Sequence, residues 1–192
     1  ETLVPPYMRE VVAEVTHLAR KSPEISQRSG VSVRVSVANY ENMLSSALRR
    51  AIRLREKQVA PRVSDLIALV QSTGGKIELE TVGDRDEEKV IEKLLQKAVL
   101  NVFNRHFALH EFDELLANFD NGLKVEVGDS LTSLEYVRQA AEVSGFTPAI
   151  KKLGGQGNPA QISSAIELVL EGLHLNRKLN KDRSAGRMRY RS

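Results

Sequence analysis

Between Ser32 and Pro61 the chain carries apolar residues at helical spacing with no turn residue to interrupt them. Tyr40, Met43, Leu44, Ala47, Leu48, Ala51 and Ile52 all recur on one face of a 3.6-residue repeat. A segment of this kind is stable only when its apolar face is covered, which directs the chain toward helix-on-helix packing. Its start carries a competing signal. Val31, Val33, Val35 and Val37 alternate with polar residues, as a strand would. The longer helical pattern wins, and predicts a helix from about Ser32 or Ser36 to about Lys57. Pro61 blocks its continuation, because proline lacks the N–H and clashes with the preceding turn.

Start and stop signals place the other elements. Pro5 and Pro6 precede a helix with Val11, Val12, Val15, Leu18 and Ala19 on one face, ending near Lys21-Ser22-Pro23. Ser64 is expected to cap a short helix through Leu66, Ile67, Leu69 and Val70, closed by Gly74-Gly75. Asp84 with Glu87 opens a helix whose stripe runs from Val90 through Phe103 to about Phe107. A shorter helix through Phe112, Leu115, Leu116 and Phe119 ends at Asn121-Gly122, and Leu123 to Val127 alternates as a short extended piece. Thr132 with Glu135 is a capping box, Thr147-Pro148 opens a turn or two of helix, and Asn158-Pro159 opens the last long helix. The resulting class is all-α, with a short β-hairpin or extended pieces at most. The expected divisions are 1–80, a helical C-terminal region over 81–180, and a basic flexible tail over 181–192.

Composition narrows the function. With no cysteine, disulfides and cysteine-based metal or redox sites are ruled out. No apolar run approaches the ~20 residues that span a bilayer, and no signal-peptide core is present, so a cytoplasmic location is expected. The chain opens on Glu1-Thr2-Leu3 without an initiating methionine, as expected of a piece of a longer protein. Its net charge of +3 hides segregation, since residues 174–192 hold 7 basic side chains and 1 acidic one. Such a tail suits an acidic partner or a solvated end. Tryptophan is absent and aromatics are 5%, which disfavours a base-stacking nucleic-acid surface.

The chemistry-bearing motif is Gly30-Val31-Ser32-Val33-Arg34. A capping serine two residues before an arginine aims a guanidinium at whatever binds near the helix start. Unpaired N–H groups and the positive dipole end favour an anion there. The order helix, Gly-x-Ser-x-Arg, long amphipathic helix, Val59-Ala60-Pro61 and short capped helix resembles the C-terminal helical lid of AAA+ ATPases. The branch is that of magnesium chelatase subunit I and MoxR-type ATPases. The similarity extends through Ala19-Arg20-Lys21-Ser22-Pro23, Gln27-Arg28-Ser29-Gly30, Ala38-Asn39-Tyr40-Glu41, Leu170-Glu171-Gly172-Leu173-His174-Leu175 and Leu179-Asn180-Lys181-Asp182. Only residues 1–80 correspond to the lid.

The resemblance implies a role for Arg34 as the sensor residue that touches the terminal phosphate of ATP. Arg28, in the preceding loop, is a second nucleotide-binding candidate, or a contact to a neighbouring subunit. It also implies ATP and Mg²⁺ in the full-length parent, an upstream AAA+ core, a homo-oligomeric ring and a protein client.

The chain itself lacks a Walker A loop and a Walker B carboxylate pair. Gly74-Gly75-Lys76 reads as a helix end, and Gly154-Gly155-Gln156-Gly157 as a helix-entry loop. No catalytic residue and no metal ligand set is therefore assigned. His106 and His110 are spaced for zinc but lack the His-Glu-x-x-His pattern. His17 and His174 read as ordinary helix residues. The other function compatible with the sequence is a helical interaction module that binds an acidic protein or nucleic acid through its basic tail.

Overall fold

The computed structural model describes residues 1–26, 31–74, 76–79, 84–184 and 187–192; of residues 84–86 and 184 it describes the backbone. The chain is mostly helical, with a small antiparallel sheet. In order come α1 (Pro6–Lys21), α2 (Val33–Leu54), a 3₁₀ turn (Val63–Ile67), α3 (Ala68–Gly74) and α4 (Asp84–His106). A second 3₁₀ turn (Leu109–Phe112) leads into α5 (Asp113–Asp120), β1 (Val125–Val127), α6 (Ser133–Ala141), α7 (Phe146–Lys152) and α8 (Pro159–Leu175). The strands β2 (Asn180–Ser184) and β3 (Arg187–Arg191) complete it.

The caps explain most of these boundaries. Ser32 accepts the Arg34 N–H at 3.2 Å and starts α2. Thr132 and Glu135 exchange hydrogen bonds across the first turn of α6. The Asn158 carboxamide oxygen accepts from the Ala160 and Gln161 N–H groups, with Pro159 at the first helical position of α8. The valine alternation therefore lies within helix from Val33 onward, and leaves Val33 and Val37 on the solvent side. The start of α4 at Asp84 agrees with expectation, while the Asp84 side chain of its capping pair lies outside what is described. Ser64 is not the cap expected of it. It lies inside the 3₁₀ turn, and Asp65 accepts the Arg62 N–H at 2.9 Å to hold that start.

One hydrophobic core runs from Tyr7 to Tyr190. Helix α8 forms its axis, buried from Ser163 to Leu173 and packed against α4, α6 and α7. Helix α1 packs on α4 and α2, so the expected boundary at residue 80 does not separate two cores. Phe103, Phe107 and Phe112 cluster with centroids 5.1–5.5 Å apart where α4 turns toward α5. At Gly172 the close approach of α8 to α4 leaves no room for a side chain, since a Cβ there would lie 2.1 Å from the Phe103 ring.

The expectation of a flexible tail over 181–192 is corrected. Strands β2 and β3 pair antiparallel, and β3 pairs in turn with β1 in the order β1-β3-β2. Register sets Tyr190 opposite Val125 and Lys181, and Met188 opposite Val127 and Arg183. One face of the sheet thus joins the core while the other carries Arg187, Arg189 and Arg191. Those cations are not loose: Glu126 accepts from both Arg187 and Arg189, and Asp182 pairs with Arg191 at 2.5 Å. Among the described residues no helix is long and apolar enough to cross a membrane.

Candidate functional site

Two places merit a functional reading. The first is the start of α2. Arg34 projects from its first turn with an exposed side chain that makes no hydrogen bond or ion pair among the described residues. The positive end of the helix dipole lies beside it, with the Arg34 and Val35 N–H groups already taken by Ser32. Nearby, Arg20 closes the approach by donating its Nε–H to the Val31 carbonyl at 2.9 Å, and Thr16 bonds Ser36 at 2.7 Å. An anion meeting this corner finds a guanidinium already presented, with no internal carboxylate to displace. Arg28, the other predicted nucleotide contact, lies outside the described residues.

The second is a cleft of about 680 Å³ between the C-terminal half of α2, α4, α8 and the hairpin. Its floor is a network of buried charges. Arg50 donates to Asp65 at 2.9 Å and to the Ala60 carbonyl at 2.8 Å. Burial disfavours the Arg50 charge, yet the adjacent Asp65 more than compensates, so its pKa lies above the ordinary arginine value. Glu167 accepts from the Ser64 N–H at 2.7 Å, from the Ser64 hydroxyl at 3.1 Å and from the Tyr136 hydroxyl. Glu171 accepts from Lys181 at 2.6 Å and from Tyr190 at 2.5 Å. Burial first, and then the neighbouring carboxylates, push both tyrosines well above the ordinary phenol range, so both stay neutral donors.

Behind this floor lies Arg62, wholly buried. Its guanidinium donates to Ser163 at 3.0 Å, the Leu131 carbonyl at 2.8 Å and Ser133 at 2.9 Å. It also lies 4.5 Å above the Tyr136 ring and 3.9 Å from Glu56, which accepts the Ser133 N–H. A buried guanidinium is tolerated only when its donors are used in this way. The effect is to lock the α2–α3 connection onto α6 and α8.

The rim of the cleft is different. Arg53 pairs with Asp129 at 2.8 Å, both exposed. Arg49 and Arg183 are exposed and make no hydrogen bond or ion pair among the described residues, and neither does Glu92. No local motif marks Arg49, Arg62 or Glu167, and Arg183 stands out in the sequence only as part of the basic tail. One signal was available: Glu167 and Glu171 stand one turn apart within residues 165–173, which are otherwise apolar, and this places charge in a core.

The histidines do not form a centre. His106 ends α4 and faces Glu10 at 3.2 Å, whereas His110 belongs to the separate 3₁₀ turn. On α1, Glu14 accepts from Asn101 and Arg105 of α4. Among the described residues no group of three or more His, Cys, Asp or Glu could hold a metal ion. No known protein family, curated protein or solved structure matches the chain.

Proposed function

We propose that this chain is the nucleotide-sensing lid and accessory helical region of an AAA+ ATPase resembling magnesium chelatase subunit I. Arg34 contacts the terminal phosphate of ATP held, with Mg²⁺, by a separate core within a homo-oligomeric ring. The observation that carries this reading is the free, exposed guanidinium of Arg34 in the first turn of a serine-capped 22-residue helix. Bound ATP would supply the charge that this guanidinium is positioned to meet. A charge-assisted hydrogen bond of that kind is worth roughly 1.5–3 kcal/mol, enough to bias a lid between two positions. The opposite half of α2 carries Arg50, tied through Asp65 to the Arg62 connection and so to α6 and α8. Tilting α2 would therefore move the accessory helices with it, toward a neighbouring subunit or client.

The interaction-module alternative has less support, because Lys181, Arg187, Arg189 and Arg191 are engaged by carboxylates of the chain itself. The test is ATP turnover by the chain joined to its core. Arg34→Ala is expected to lower turnover at least tenfold with helix content and melting temperature unchanged. Normal turnover would reject the sensor role. The chain alone is expected to show no micromolar ATP affinity by calorimetry, since one arginine does not replace a phosphate cradle.

A further inference from the structure

The rim and wall of the cleft beneath the hairpin carry a second reading, independent of Arg34. Its volume, about 680 Å³, falls inside the roughly 300–1,000 Å³ typical of small-molecule sites. Apolar side chains of Leu66, Leu95, Val99 and Met188 form part of the wall. The walls are held in place by ion pairs, Arg50 with Asp65 and Lys181 with Glu171, so the cleft is preformed. Those pairs also cancel their own charge. The Glu167 carboxylate keeps its charge, since its three donors are neutral, but its oxygens are occupied. What remains to meet a ligand is Arg49 from α2, Arg183 from β2 and Glu92 from α4. Glu92 and the buried Glu167 balance the two guanidiniums in charge, but the Glu167 oxygens are taken, so the charged groups left to bond a ligand are two guanidiniums and one carboxylate, and guanidinium matches carboxylate, sulfonate or phosphate oxygens. The adjoining apolar wall selects for hydrocarbon.

We propose that this cleft binds a small organic anion with an apolar body, its charged head held by Arg49 and Arg183 and its body against Leu66, Leu95, Val99 and Met188. The hairpin, which supplies Arg183 and Met188, is then a wall of a binding site as well as a closure of the fold.

The test uses anilinonaphthalene sulfonate, a fluorescent apolar anion, titrated into the intact folded chain. Saturable binding of one equivalent is expected, weakened at least tenfold in the Arg49→Gln, Arg183→Gln double variant and unchanged in Arg34→Gln. Decanoate is expected to displace the dye. Inorganic phosphate and decanol at the same concentration, each carrying half of the recognition, are expected to do so at least tenfold less well. Melting curves check that the variants are folded, and if the double variant is not, Arg49→Gln alone carries the comparison from its exposed helix face. Absence of binding, or binding that the arginine substitutions leave intact, overturns the proposal. So does displacement by phosphate alone, which would mark a plain anion site. Failure of the Arg34 sensor role would leave every one of these outcomes unchanged.

Discussion

At the scale of the residue, two side-chain environments decide most. Arg62 is fully buried and its donors reach Ser133, Ser163 and the Leu131 carbonyl. Arg62→Ala would take the shared donor from these three acceptors and a nearby cation from Glu56, which keeps the Ser133 N–H and Arg50. Breaking a buried charge network from one side costs about 3–5 kcal/mol, and the loss is expected as a lower urea midpoint. Lysine is not expected to restore it, because one ammonium cannot span three acceptors held in a planar fork. Gly172 is the opposite case, where nothing is allowed. Alanine normally favours a helix by roughly 1 kcal/mol over glycine. Here its Cβ would enter the Phe103 ring. Overpacking costs about 1–3 kcal/mol, so Gly172→Ala is expected to lower the melting temperature despite the better helix propensity.

At the scale of the element, the sheet depends on charge as much as on hydrogen-bonded strands. Hydrogen bonds from Arg189, then from Arg187, hold the Glu126 carboxyl below the usual carboxylate range. A carboxyl with a depressed folded pKa adds stability that is complete above its unfolded value, about 4.3, and is lost as pH falls through the folded value. Unfolding followed from pH 7 down to pH 3 should therefore steepen below about 4.3, and Glu126→Gln should flatten that fall. Glu135 adds to it with the same sign, through its Thr132 cap.

The same elements show what the sequence made legible. The starts of α1, α2, α6 and α8 follow from prolines and caps whose partners lie within four residues, and local chemistry was enough to find them. The exposed corner at Arg34 follows from the same cap. The place of the hairpin, in the basic tail, was not legible. Its partners are Glu126, 63 residues before Arg189, and Glu171, ten residues before Lys181. Counted locally, five cations and few apolar groups cannot offset about 1–2 kcal/mol of backbone entropy per residue. Only the tertiary fold supplies the carboxylates and the apolar face for Met188 and Tyr190. The cleft was hidden for the same reason, since Arg49 and Arg183 come to line one cleft only in the folded molecule.

At the scale of the whole molecule, the sheet order β1-β3-β2 has a consequence in time. Among the described residues β1 and β2 pair with no strand but β3, so neither has a strand partner there until residues 187–191 arrive. Its pairing with β1 closes a loop that contains α6, α7 and α8. Loop closure on this scale is slow compared with helix formation, which needs only neighbours in sequence. Pulse-labelled hydrogen exchange during refolding is expected to protect α4 and α8 amides before those of Val125–Val127 and Arg187–Arg191. Simultaneous protection would contradict this order. Until that final step the carboxylates Glu126 and Glu171 face water without their arginine and lysine partners, and the core beneath Tyr190 stays open. The hairpin thus acts as a late clasp, and the interval before it shuts is when this chain is most exposed to proteases and to capture by other unfolded strands.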